Sequence, residues 1–264
     1  MRDQLRVLRH ATAAAWVQYS AYHTWRTWAF TWLSRLLIQA CFYALIGRML
    51  GSADQVEFLL IGNVVAVMAI DATVVVLLTV TERHLGTLAL MVAAPASHLV
   101  TYLGRGLPNL ASGIAASTIA FLALPPLFDV PVPWPQALVV PLMIAVVGAS
   151  CYCYGACVAS LVLGFPSARW VALNLSYLTL MTFCGVNVPI SFWPDWLGAL
   201  TSVLPMAHGL GAIRAFLDGG TWSAVLGGLG LEVCVGAAWF AVAAYGFRRM
   251  VAKGRADGTI EFGV

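Results

Sequence analysis

The length of the uncharged runs constrains this chain more than any other feature. Between Gly106 and Ala168 the only Asp, Glu, Lys or Arg is Asp129. A helix needs about 20 mostly apolar residues to cross the roughly 30 Å hydrocarbon layer of a bilayer. Six stretches qualify: 28–47, broken only by Arg35; 58–80, broken only by Asp71; 106–128; 136–163, after an irregular start at Pro131, Pro133 and Pro135; 170–188; and 222–247, broken only by Glu232. Backbone amides and carbonyls in lipid have no water to bond, so such stretches must be helical. Composition agrees: 61% of residues are hydrophobic and 9% charged, against about 25% charged in a soluble domain. The expectation is an all-α, polytopic membrane protein with six transmembrane helices.

Arginine and lysine set the orientation. Arg2, Arg6, Arg9, Arg26, Arg83, Arg105, Arg169, Arg248, Arg249, Lys253 and Arg255 fall on one side of the six spans, while Arg48 and Arg214 fall on the other. Both termini are therefore expected in the cytoplasm, with the chain in the cell inner (plasma) membrane. The net charge of +3 is small and its basic residues are scattered, which argues against nucleic acid as a partner. Residues 1–26 lack the single short apolar core of a cleavable signal. Cys41, Cys151, Cys153, Cys157, Cys184 and Cys234 all lie in or beside apolar stretches. They read as small packing residues rather than a disulfide framework or metal site.

Three segments outside the spans are patterned. Residues 1–26 mix Trp16, Tyr19, Tyr22, His23 and Trp25 with Arg9 and Arg26, which suits a helix lying at the headgroups. That helix is either a plain anchor or an element that transmits motion. The cytoplasmic connection 81–105 reads as two short helical pieces around Pro95, the first at Gly86–Met91 and the second at Ala96–Leu103. The outer connection 184–220 is too apolar for a solvent loop. Pro189, Pro194 and Pro205 divide it, and Asp195–Val203 and Met206–Leu217 read as two short helices of a re-entrant hairpin.

Polar residues within spans are costly and are candidates for function. Asp71 lines a path, makes an interhelical bond, acts as a protonatable gate, or is a packing group. Glu232 pairs with Arg214, lines an outer vestibule, or is a structural cap or a snorkelling group. Arg35 snorkels or pairs with Asp71. Asn63, Asn174 and Asn187 bond to neighbouring helices or meet a substrate. The small residues Gly148, Ala149, Gly155 and Ala159 give the fourth span a face for close helix packing.

Two of these segments resemble a known family, the membrane subunit (permease) of ABC-2 type ATP-binding-cassette transporters. Glu82-Arg83-His84-Leu85-Gly86-Thr87-Leu88, followed by Pro95, is similar to that family's E-R-x-x-G-T-L-E-x-L…P pattern after the second span. Gly185, Pro189, Pro194, Trp196, Leu197, Leu204, Pro205 and Arg214 are similar to its stretch between spans five and six. The second acid of the family pattern is Ala89 here. The resemblance implies a path built with a second permease copy, as a homodimer or with a close paralogue, and driven by two copies of a cytoplasmic ATP-binding subunit. Glu82, Arg83, Gly86, Thr87, Leu88 and Pro95 would couple to that subunit, and Asp71, Glu232, Arg35, Asn174, Asn187 and Arg214 would belong to the path or its gate. It also implies export of an amphiphilic or lipid-like substrate such as a drug, antibiotic or glycolipid.

The residues themselves contain no G-x-x-x-x-G-K-[ST] phosphate loop and no H-E-x-x-H. No enzyme activity and no directly bound cofactor are expected, so ATP and Mg would sit on the partner subunit, with membrane lipid around the bundle. The competing readings are an ion-gradient-driven secondary transporter, which would favour internal repeats, and a non-transport membrane protein.

Overall fold

The computed structural model describes residues 2–78, 98–163 and 165–257, and all regular structure among them is helical. The helices are α1 (Arg2–Tyr22), α2 (Trp25–Met49), α3 (Ala53–Leu78, with a turn at Val74), α4 (His98–Leu127), α5 (Val140–Val162), α6 (Arg169–Phe183), α7 (Asp195–Thr201), α8 (Ala207–Leu217) and α9 (Trp222–Asp257). Five of them carry stretches long and apolar enough to cross a bilayer: Trp25–Met49, Ala53–Leu78, Val100–Leu127, Gln136–Val162 and Trp222–Met250. The chain is thus an all-α, multi-pass membrane protein.

Helix α3 is the axis of the bundle. In its most apolar window 89% of residues are buried, against 17% in α2 and in α9. It packs on α2, α4, α5 and α6, while α9 packs on α5 and α8. The small-residue face of α5 is what lets α3 approach. A Cβ at Gly155 would stand 3.1 Å from the Thr73 Cα, and one at Gly148 2.8 Å from the Met68 sulfur.

Three boundaries differ from expectation. First, α4 begins no later than His98, so 98–105 belong to the third span's helix rather than to a loop reaching Arg105. Tertiary packing extends it: Gly104 lies under Ala11 and Leu8 of α1, and Arg105 donates to the Gln18 side chain at 3.1 Å. Pro108 leaves the Gly104 carbonyl without an amide donor. One residue earlier, the Tyr152 hydroxyl donates to the Leu103 carbonyl at 2.6 Å.

Second, α6 stops at Phe183 instead of Val188. Gly185 turns the chain at φ +81°, and Pro189 disfavours helix at the residue before it. At 15 residues α6 is only about 22 Å long.

Third, α2 is π-wound over Trp28–Leu33. Residues 79–97, including the expected helix Gly86–Met91, lie outside the described residues.

Helix α8 runs back along the first turns of α9. Gly228 of α9 sits against Ala212 and the His208 carbonyl. The turn joining α7 to α8 lies beside Glu232 and Trp239, which are ten and seventeen residues beyond Trp222. That is about 15 and 25 Å along the α9 axis.

Gly113 of α4 sits close against α3. A Cβ there would lie 2.7 Å from the Asp71 Cβ and 3.0 Å from the Met68 carbonyl oxygen. Gly113→Ala should therefore destabilise the bundle by about 1–3 kcal/mol through overpacking. Gly227→Ala in α9, where nothing lies within 4 Å, should not. Reversible denaturation in mixed micelles would measure the difference.

Candidate functional site

Asp71 stands on α3, only 3% exposed. The Trp32 indole N–H donates to both carboxylate oxygens, at 3.0 and 3.1 Å, and the Ser112 hydroxyl lies beside the carboxylate as a further polar neighbour. Ser112 in turn accepts from the Trp28 indole at 2.8 Å and from the Tyr19 hydroxyl at 2.9 Å. A hydroxyl has two lone pairs to fill, and these two donors fill both of Ser112's. The cluster joins α1, α2, α3 and α4 at one point. The π-wound turns lie where the two indoles, four residues apart, converge on it, consistent with the occurrence of such turns at specialised positions. Ser34 returns a side-chain bond to the Ala29 carbonyl at 3.0 Å.

Arg35 does not close an ion pair with Asp71. Its side chain is exposed, and its guanidinium lies 5.4 Å from the centre of the Trp32 ring. The indole thus lies between the two charges in the chain of contacts, and Arg35 acts on Asp71 only through its field.

Glu232 on α9 is fully buried. Its two oxygens accept from the backbone amides of Met206, at 2.7 Å, and Gly209, at 2.9 Å. These amides open α8, whose N-cap Met206 takes the left-handed φ of +80°. A carboxylate at a helix N-terminus satisfies orphan amides and meets the positive end of the dipole. Glu232 is therefore committed to α8 and forms no pair with Arg214. Two turns further along α9, the Trp239 indole donates to the Val203 carbonyl at 2.8 Å. From the other side the Cys184 thiol donates to the Pro205 carbonyl at 3.2 Å. The turn between α7 and α8 is thus held at both ends and in the middle.

Arg214 serves the break after α6. It donates to the carbonyls of Gly185 at 2.7 Å, Phe58 at 2.9 Å and Val186 at 3.4 Å. The Phe58 ring lies 3.7 Å below its guanidinium, a cation–π geometry. Beside it is a cavity of about 290 Å³ lined by Asp54, Glu57, Phe58, Arg214 and Asp218. Asn187, within the same break, accepts from the side-chain amide of fully buried Asn63 at 2.9 Å. The structure therefore gathers Arg214 and Asn187 at one end of α3, and Asp71 and Arg35 further along it. Asn174 joins neither group. It is exposed on α6 and donates to the Trp170 carbonyl of its own helix. Glu82, Arg83, Gly86, Thr87, Leu88 and Pro95 lie outside the described residues.

The sequence pattern did not single out Trp28, Trp32, Ser112 or Trp239, and it marked Tyr19 only as an aromatic of the headgroup arm. The spacing of Trp28 and Trp32 put both indoles on one face, which was a usable signal. Ser112 carried none, since a lone serine in an apolar run is ordinary.

The family profile of ABC-2 type transporters matches residues 12–217. The chain belongs to that family. No curated protein and no solved structure shows significant similarity to it. The match runs from the second half of α1 to the end of α8 and hence covers both polar groups on α3 and the α7–α8 turn. As an ABC-2 permease the chain is the membrane component of a transport system and not a catalytic subunit. Among the described residues no three His, Cys, Asp or Glu side chains gather in a way that would hold a metal ion.

Two outcomes follow from the permease's geometry. Glu232→Ala leaves the amides of Met206 and Gly209 without their acceptor, costing about 1–3 kcal/mol each. Amide exchange across residues 203–217 should accelerate by tenfold or more, and Glu232→Gln, which keeps an acceptor oxygen, should show less. At the other cluster, Asp71→Asn should cost less in a Trp32→Phe background than alone, with a coupling of about 0.5–3 kcal/mol. Denaturation of the two single variants and the double variant would read it.

Proposed function

We propose that this permease forms the translocation path of an ATP-driven exporter. Two copies of the chain, or one with a close paralogue, would be driven by two cytoplasmic ATP-binding subunits that carry the ATP and Mg. Family membership over residues 12–217 carries this reading. The substrate is an amphiphilic or lipid-like molecule.

In this reading α6, together with the non-helical residues that follow it, makes a sixth crossing. Both termini then face the cytoplasm of a cell whose inner membrane holds the protein. Helices α7 and α8 re-enter from the outer face. Support comes from the depth of their connecting turn along α9 and from the bonds that Glu232, Trp239 and Cys184 make to it. Non-helical backbone at that depth needs protein partners for its polar groups. Glu232 and Arg214 act as positioning residues of this outer gate, and Asn187 lies beside it. Asp71 borders the path nearer the cytoplasmic end of α3, where α1, α2 and α4 meet. Asn174, on an exposed face of α6, would face the path only across the second copy.

The segment 79–97 links α3 directly to α4. Glu82, Arg83, Gly86, Thr87, Leu88 and Pro95 within it would dock on the ATP-binding subunit. Closure of that subunit on nucleotide would then move the ends of both helices and switch the path between inward-facing and outward-facing forms. Such coupling requires contacts that differ between the two states.

The test is co-purification of the permease with the ATP-binding subunit, followed by reconstitution. Wild type should show ATP hydrolysis that responds to the permease. Glu82→Ala with Arg83→Ala should lower that response at least tenfold while the permease's own denaturation curve is unchanged. Full coupling in the double variant removes these residues from the interface, and failure of any ATP-binding subunit to co-purify removes the ATP-driven reading.

A further inference from the structure

We infer that the outward face of α1 is a docking surface for the headgroups of anionic phospholipids. Helix α1 has two faces with different tasks. Leu8, Ala11, Thr12, Ala15 and Tyr19 recur every three or four residues and so share one side. That side is fastened to α4: Ala11 and Leu8 lie against Gly104, Ala15 is buried, and Tyr19 bonds to Ser112. The orientation of the helix about its own axis is therefore set by the bundle.

Arg6 and Val17 lie on the opposite side, with Arg9 and Trp16 on the flank between; all four are exposed, Trp16 at 54% and Val17 at 69%, and the Trp16 ring lies 6.2 Å from that of Tyr19. Arg26 follows just beyond, exposed and 5.4 Å over the Trp25 ring. None of the three arginines makes an ion pair with a described residue, and Asp3 is the one acid among residues 1–26. This surface therefore presents exposed guanidinium groups on both sides of large apolar side chains. Solvent suits the first and not the second, whereas the headgroup layer of a membrane suits both.

Charge complementarity selects the lipid. A zwitterionic headgroup offers no net charge to three arginines. An anionic one attracts each basic residue with an effect of about fivefold in affinity. Guanidinium groups also bond phosphate oxygens in pairs. The occupant is thus an anionic phospholipid, held along α1 while the other face of that helix stays latched to Ser112.

The inference rests on the expectation from the sequence that residues 1–26 lie at the headgroups, but its test is independent of transport and sidedness. The full-length permease is placed in nanodiscs of phosphatidylcholine alone or of phosphatidylcholine mixed with phosphatidylglycerol. Hydrogen–deuterium exchange is then followed in peptides covering residues 4–22, with α3 and α5 as internal folding controls. Both leaflets have the same composition, so either orientation reports. Exchange in the arm should slow by about fivefold or more in the anionic discs. The gain should fade at high salt, which screens headgroup charge. It should disappear in Arg6→Gln/Arg9→Gln/Arg26→Gln and largely persist in the corresponding lysine variant. Equal exchange of the arm in the two kinds of disc overturns the inference, since it marks purely apolar anchoring. A gain that survives the glutamine substitutions overturns it as well. The wild-type comparison decides even where the triple variant fails to fold.

Discussion

A backbone amide or carbonyl in hydrocarbon finds no water, and most polar contacts in this bundle answer to that fact. The helices break or weaken at four places, and side chains bond to backbone groups at or beside each of them. At the break after α6, Arg214 collects the carbonyls of Gly185 and Val186. At the α7–α8 turn, Glu232 accepts from Met206 and Gly209, Trp239 donates to Val203, and Cys184 donates to Pro205. Near Pro108 the Tyr152 hydroxyl reaches the Leu103 carbonyl. In the π-wound turns of α2, Ser34 bonds back to Ala29. Residues that look like a transport path in the sequence are thus occupied first with irregular backbone. The two roles are compatible, because irregular backbone at membrane depth is also where a path or gate is built.

Asp71 stands apart from this pattern. Its carboxylate holds no backbone amide. It is held by an indole, a side-chain donor that can rotate away without unwinding a helix, with the Ser112 hydroxyl beside it. Breaking the Glu232 cap exposes two amides at once and carries the cost of both. The Asp71 cluster can change partners more cheaply, and through Ser112 and Tyr19 such a change reaches α1. The bundle thus combines a rigid latch at the α7–α8 turn with a softer junction around α3 and α4.

How much was legible in the sequence depended on the range of the interaction. Apolar runs of span length forced helices, and all five long apolar helices lie on the expected spans 28–47, 58–80, 106–128, 136–163 and 222–247. The packing role of Gly148 and Gly155 was also readable, since a stripe of small residues has little other use in lipid. The partners of the charges were not readable. Arg214 and Glu232 are near in sequence and opposite in sign, which suggested a pair, yet each is closer to an unsatisfied backbone group than to the other. Asp71 and Arg35 failed as a pair for a different reason: Trp32 lies between them in the contacts and offers its N–H to the carboxylate. The extension of α4 back to His98 was likewise hidden, because it depends on α1 lying across Gly104.

By itself, then, the sequence determined the solvent this protein lives in, the helical state of its spans and the family to which its motifs point. Those properties follow from local hydropathy and short-range spacing, which do not need the fold. Tertiary structure decided which helix forms the axis, where α6 ends, and what each buried charge holds. A buried carboxylate or guanidinium takes whichever donors or acceptors the fold has left without water, and their location is known only once the helices have packed.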